Sequence, residues 1–222
     1  MADIEFQPLD RNGIAARIAR DIPEGWFVNL GIGIPTGVSD HVPRDREVIF
    51  HSENGVIGAG PAPAADDINP YLVNAGTQHI TLRTGGSYVH HADSFAIARG
   101  GHLDLCVLGA FEVAENGDLA NWARSPDEPV KQVGGAMDLA IGAKGLWIAM
   151  EHNTKARTGG VGTSRIRKAC SYPLTAKGVV RRVYTDLAVL EVTPAGFVVL
   201  DMIPGLTREA LQQRTEAELR WT

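Results

Sequence analysis

The segment Glu47-Val48-Ile49-Phe50-His51-Ser52-Glu53-Asn54-Gly55 constrains this chain more than any other. An apolar run of strand character ends in a carboxylate, and glycines follow at Gly55, Gly58 and Gly60, ahead of Pro61. A strand ending in this way presents its carboxylate at the carboxyl edge of a sheet, which is where open α/β sheets bind ligands. The glycines remove Cβ bulk and permit positive φ, so a large ligand could come close to the backbone. The same residues also read as a strand and a solvated turn carrying an ordinary surface glutamate, because Asn-Gly is first of all a turn signal.

The rest of the chain supplies the frame for such a sheet. Arg11 to Ile22 places Ile14, Ala15, Ile18 and Ile22 on one face, a short amphipathic helix that Pro23-Glu24-Gly25 breaks. Trp26-Phe27-Val28 reads as a buried strand running into Asn29-Leu30-Gly31-Ile32-Gly33-Ile34-Pro35-Thr36, where Pro35 suits a first helical position. Helix starts favour anions, yet Gly31-Ile32-Gly33 lacks the third glycine of a dinucleotide fingerprint and serves equally as a tight turn. Pro61 to Pro70 is a surface loop, and Tyr71 to Val89 holds short strands with turns at Gly76 and Gly85-Gly86.

Ala92 to Arg99 is a helix, Leu103 to Ala110 a buried strand, and Glu115-Asn116-Gly117-Asp118 a hairpin turn. Gly134-Gly135-Ala136 starts a further helix and Leu146 to Met150 a further strand. Residues 153 to 169 read as an exposed loop or hairpin, Val179 to Val192 and Phe197 to Leu200 as strands, and Thr207 to Arg220 as a terminal helix. The pattern predicts one α/β domain over residues 1–222, an open sheet flanked by helices with an antiparallel strand portion.

Composition narrows the function. Over 222 residues, 44% hydrophobic and 21% charged content suits a globular protein with a full core, and a net charge of -5 implies no general attraction to nucleic acid. Met1-Ala2-Asp3-Ile4-Glu5 lacks the basic region and apolar stretch of a signal peptide, and the apolar stretch Gly134 to Met150 is too short for a membrane span. Cys106 and Cys170 have no paired spacing, so free thiols in a reducing, cytoplasmic compartment are expected.

Other candidates are weaker. His90-His91 would point to opposite faces of a strand, and with no completing cluster no metal site is expected. Ser52 lacks the Gly-x-Ser-x-Gly frame of a hydrolase elbow. Arg165-Ile166-Arg167-Lys168 reads as a solvated face or subunit contact, and Glu112 and Glu115 as surface residues at a hairpin.

Four stretches taken in order carry a resemblance: residues 29–36, Ser52-Glu53-Asn54-Gly55 with Gly58, Gly60 and Pro61, Gly134-Gly135-Ala136-Met137-Asp138-Leu139, and Thr185-Asp186-Leu187-Ala188-Val189. From about Ile14 to Val192 the chain resembles the B (β) subunit of the family I CoA-transferases acting on 3-oxo acids. The Ala123 to Val133 segment follows the branch acting on 3-oxoadipate, with the acetoacetate branch as the alternative, while Thr154 to Arg167 departs from the family's pattern.

The resemblance implies Glu53 as a nucleophile that carries CoA as a thioester, with succinyl-CoA as donor and CoA a substrate, so no cofactor is expected. It implies Asn29 and the Gly134-Gly135 N–H groups as oxyanion donors, and Gly58 and Gly60 as room for the pantetheine arm. It implies an A subunit as partner, in an α₂β₂ assembly. A sugar-phosphate isomerase and a non-catalytic ligand-binding subunit are the rival readings. Among the basic residues that could face a second substrate carboxylate are His79, Arg83, His90 and His91.

Overall fold

The computed structural model describes residues 6–125, 132–156 and 160–221, which form two compact units. One comprises Ala15–Gly109 with Gly135–Leu146; the other comprises Met1–Ile14, Ala110–Gly134 and Trp147–Thr222. Helix α1 (Arg11–Asp21) starts where the Asp10 carboxylate accepts the Gly13 N–H at 2.7 Å, a side-chain cap. It buries Ile14, Ala15, Ile18, Ala19 and Ile22, the predicted face.

The first unit is built on five strands: β1 (Phe27–Leu30), β2 (Ile49–Ser52), β3 (Val56–Ala59), β4 (Leu82–Tyr88) and β5 (Leu105–Gly109), in the order β5-β1-β2-β3-β4. Strands β5, β1 and β2 are parallel; β3 and β4 extend the ladder antiparallel. Leu105, Cys106 and Val107 are all fully buried, as expected of a parallel strand covered on both faces. A 3₁₀ turn (Ile34–Gly37) with Pro35 near its start and a one-turn helix α2 (Val38–His41) follow β1. Helices α3 (His91–Arg99) and α4 (Ala136–Gly142) lie side by side, locked by a two-pronged Arg99–Asp138 ion pair at 2.9 and 2.8 Å.

The second unit carries β6 (Glu112–Ala114), β7 (Leu119–Ala120), β8 (Leu146–Ala149), β9 (Ile166–Arg167), β10 (Arg182–Tyr184), β11 (Ala188–Thr193), β12 (Gly196–Met202), helix α5 (Arg208–Gln213) and β13 (Leu219–Trp221). Its strands run in the order β13-β12-β11-β10-β8, parallel at β8/β10 and β12/β13 and antiparallel between. A separate sheet has the order β7-β6-β9. The mixed α/β class and the antiparallel portion match the sequence expectation.

Five local expectations are corrected. Gly85-Gly86 is no turn but lies inside β4, facing Gly58 of β3: a Cβ on Gly58, whose φ is +81°, would sit 2.9 Å from Gly86 Cα. Two glycines let the strands stay paired through a register shift between Ile57 and Ala59. The terminal helix stops at Gln213, because the Gln212 side chain bonds the Thr215 and Ala217 carbonyls and the Leu219 N–H, which starts β13. The described residues of 153–169 take the hairpin form of that expectation but not its exposure: Asn153 bridges Ser164, Thr154 N–H meets Thr163 O at 2.9 Å, and Ile166 is fully buried in β9. Residues 157–159 of that segment, and 126–131 of the segment that suggested the 3-oxoadipate branch, lie outside the described residues.

Glu112 is a buried residue, not a surface one, because Ser171 N–H (2.6 Å), Ser171 Oγ (2.8 Å) and Tyr172 N–H (3.2 Å) satisfy its carboxylate. The two arginines of the basic run are likewise largely covered, while Lys168 is exposed: Arg167 pairs with Glu112 and Glu216, and Arg165 with Glu151. A buried charge persists only when paired in this way.

His152 is fully buried between two hydroxyls, Nδ1 at 3.0 Å from Thr185 Oγ1 and Nε2 at 2.8 Å from Thr215 Oγ1. With a hydroxyl at each ring nitrogen, one nitrogen donates and the other accepts when the ring is neutral. Burial, aided by the Arg214 charge, holds its pKa down at about 4. The unfolded chain takes up this proton near 6.5 and the folded chain only near 4, so stability is complete above the higher value and lost as the pH falls between them. His152 alone should cost about 2 kcal/mol between pH 8 and pH 5. Urea unfolding of wild type and His152→Gln at both pH values should show a smaller loss in the variant; equal losses would contradict the assignment.

Candidate active site

The parallel strands β5, β1 and β2 all end on one edge, and Glu53 follows β2 immediately on that edge. Ser52 to Gly55 is a tight turn closed by Gly55 N–H to Ser52 O at 2.9 Å, and it joins β2 to β3. The other motif residues hold this turn from outside. Ser52 Oγ accepts the Ala75 N–H at 2.9 Å, Asn54 Nδ2 donates to Val73 O at 2.8 Å, and Gly55 O accepts the Val89 N–H at 2.9 Å. The turn signal of Asn-Gly and the functional reading of Glu53 are therefore not rivals: three residues build the turn and the fourth is displayed by it.

Glu53 is half-buried. Burial raises its carboxyl above the usual glutamate range, and the charge of His91 opposes part of that rise. Gly135, the residue before α4, lies against it. A Cβ on Gly135 would be 3.0 Å from Glu53 Oε2 and 2.5 Å from Phe95 Cζ, so only glycine fits. The Arg99–Asp138 pair that ties α3 to α4 thus fixes Phe95 and Gly135 beside the carboxylate.

Below Glu53 on β2 is a polar cluster that the sequence reading missed. His51 is 1% exposed, with Nδ1 2.9 Å from Asn29 Nδ2 and Nε2 2.8 Å from Ser94 Oγ. The Asn29 amide nitrogen also reaches His51 O at 3.3 Å, and its carbonyl oxygen receives the Cys106 thiol at 3.5 Å. Because an amide nitrogen only donates, His51 Nδ1 accepts and Nε2 carries the proton to Ser94. Burial pushes the His51 pKa down to about 4, in keeping with a neutral ring, and pushes the Cys106 thiol up. His51 and Asn29 each stand in or at the end of a predicted strand, but nothing in the sequence pairs those strands.

The structure brings Glu53, Gly135 and, one step deeper, Asn29 into one unit. Asn29 is itself 1% exposed, with its amide engaged by His51. Gly58 and Gly60 face β4: Gly58 opposes Gly86, and a Cβ on Gly60 would fall 2.3 Å from Thr81 Oγ1. Gly134, with φ +57°, belongs to the other unit. His90 and His91 are not on a strand as expected but at the start of α3, where His90 Nδ1 caps the Ala92 N–H at 3.2 Å. No helix among the described residues is long and apolar enough to cross a membrane.

The sequence profile of the Coenzyme A transferase family matches residues 11–214. The B subunit of a 3-oxoadipate CoA-transferase from Acinetobacter baylyi is 48% identical over 216 residues, 97% of this chain and 97% of that protein. The B subunit of a succinyl-CoA:3-ketoacid coenzyme A transferase from Helicobacter pylori is 44% identical over 208 residues, 94% of this chain and 97% of that protein. Among solved structures, an acyl-CoA transferase from Escherichia coli O157:H7 superposes with a TM-score of 0.72 at 17% identity, covering 98% of this chain. This chain spans 43% of that longer one, a likeness of fold. The chain belongs to the Coenzyme A transferase family.

Proposed function

We propose that this chain is the B subunit of a 3-oxoadipate CoA-transferase, and that Glu53 carries CoA between succinyl-CoA and the acceptor acid. The observation that supports it most is a half-buried carboxylate displayed on a clamped turn at the carboxyl edge of a parallel sheet, with a glycine backbone pressed against it. The choice of acceptor follows the 48% identical relative over the 44% identical one, together with the Ala123 to Val133 pattern.

The chemistry asks for these features. Exchange of CoA between two carboxylic acids is nearly thermoneutral, whereas hydrolysis runs strongly downhill, so the acyl group must pass through a covalent intermediate sheltered from water. The Glu53 carboxylate attacks the succinyl-CoA carbonyl and the CoA thiolate leaves, giving a mixed anhydride. The thiolate then attacks the glutamyl carbonyl and succinate departs, leaving a glutamyl-CoA thioester. The acceptor acid reverses these steps and regenerates the carboxylate. No general base is required, because the nucleophile is already an anion. Partial burial makes that anion less stabilised by water and so a better nucleophile.

Each tetrahedral step develops an oxyanion. The backbone N–H of Gly135, leading into α4, is the donor we favour, since the Gly135 Cβ position lies 3.0 Å from Glu53 Oε2; a share for Gly134 rests on the family likeness. Direct donation by Asn29 would first break its bonds to His51, leaving a buried ring nitrogen unsatisfied at about 1–3 kcal/mol. Gly58 and Gly60 serve the site by bringing β3 and β4 together, and their contact with CoA rests on the family likeness. The enzyme is completed by an A subunit in an α₂β₂ complex in the cytoplasm, and this chain alone should be inactive.

With its A subunit, the protein should exchange CoA between succinyl-CoA and 3-oxoadipate, and prefer that acceptor over acetoacetate in kcat/KM by ~10²-fold. Preference for acetoacetate would move the chain to the 3-ketoacid branch. Glu53→Gln and Glu53→Ala should abolish exchange with the fold intact, as read by circular dichroism; near-normal turnover would remove Glu53 from the mechanism. Asn29→Ala separates two roles: a kcat loss of ~10²-fold or more at unchanged melting temperature marks an oxyanion donor. A lowered melting temperature with near-normal kcat marks a clamp between β1 and β2.

A further inference from the structure

Four basic side chains follow the motif in sequence, and each carries a group that could pair with a substrate carboxylate. The structure separates them. Arg83 donates from Nη1 to the Arg46 and Val48 carbonyls, 3.4 Å each, which lie before β2 begins and so at the opposite end of that strand from Glu53. His79 is exposed and bridged to Val73. His90 spends Nδ1 on the Ala92 N–H, capping α3.

His91 is placed differently. It is the first residue of α3, it is exposed, and its ring meets Phe95 edge-on with centroids 5.0 Å apart. Phe95 fills the space beside Gly135, the same glycine whose Cβ position is 3.0 Å from Glu53 Oε2. Burial raises the Glu53 carboxyl above the usual range, and His91 opposes part of that rise. His91, Phe95, Gly135 and Glu53 therefore form one continuous cluster, with the imidazole at its solvent side and the nucleophile at its inner side.

We infer that His91 is a specificity-determining residue, whose imidazole pairs with the second carboxylate of a dicarboxylic substrate while the first is activated at Glu53. The inference rests on the transferase reading above and names the residue that would select its substrate class. Succinyl-CoA and 3-oxoadipate each keep one free carboxylate when the other end is at the nucleophile. Three C–C bonds separate the two carboxyl carbons of succinate and five those of 3-oxoadipate, spans of roughly 4 and 6 Å at about 1.5 Å per bond with tetrahedral angles. A cation beside the nucleophile, not one across the domain, suits both lengths. Leaving that second charge unpaired in a site that excludes water is costly. The edge-on contact with Phe95 limits ring motion, so less side-chain entropy is lost on pairing than for a free lysine. The start of α3 adds a dipole of the same sign. A methyl-ended acid such as acetoacetate gains nothing from this partner.

The test uses the complex with its A subunit and compares wild type with His91→Ala and His91→Lys. In a ping-pong scheme kcat/KM for the acceptor reports the second half-reaction alone, so 3-oxoadipate and acetoacetate can be compared with one donor. His91→Ala should lower kcat/KM for 3-oxoadipate by ~10- to 100-fold, chiefly through KM, and lower it at least tenfold less for acetoacetate. His91→Lys should recover most of the 3-oxoadipate loss, because an ammonium can donate to the same carboxylate. An equal fall for both acceptors would overturn the inference, assigning His91 to the nucleophile or to the fold, and so would no fall for either. A wild-type complex that transfers CoA from succinyl-CoA to neither acid would instead overturn the transferase reading, and with it the role of His91.

Discussion

A carboxylate partly withdrawn from water, Glu53, is held in place here by the residues around it. Glu53 is displayed by a four-residue turn whose other residues are tied outward, Ser52 to Ala75, Asn54 to Val73 and Gly55 to Val89. Beneath it, the Asn29–His51–Ser94 chain satisfies the polar side chains on the buried side of β1 and β2 without using the nucleophile. Beside it, the Arg99–Asp138 pair fixes the two helices that bring Phe95 and Gly135 to the carboxylate. The geometry concentrates constraint around one uncommitted group, an arrangement suited to covalent catalysis.

Much of this was legible in the chain. The periodicity of α1, the apolar runs of β1 and β5, and the Ser-Glu-Asn-Gly turn each report local physics, and each appears where the pattern puts it. What failed was non-local. Gly85-Gly86 carries every mark of a turn, but its meaning depends on Gly58 across the ladder, 28 residues away in sequence. Arg167 and Glu112 look like surface charges until the fold buries them against each other. Helix propensity after Gln213 is real, yet Leu219–Trp221 pairs with β12 instead.

The candidate site shows the same division. The Ser-Glu-Asn-Gly turn and the helix start at Gly135 were legible locally, whereas the roles given to Glu53 and Gly135 came from the family resemblance. His51 was passed over because a histidine inside a strand gives no sign of its partners until the neighbouring strands are in register. The four basic residues after the motif were indistinguishable as letters, whereas the position of α3 sets His91 against Phe95, which packs beside Gly135 near Glu53, and Arg83 and His90 do structural work.

The central claim is that Glu53 becomes covalently attached to CoA, and a trapping measurement tests it most directly. The complex would be incubated with succinyl-CoA, treated with borohydride and digested, and the peptide containing Glu53 weighed by mass spectrometry. A glutamyl thioester is reduced at that side chain to the alcohol, with matching loss of activity. An unmodified Glu53 peptide recovered under turnover conditions would contradict the account.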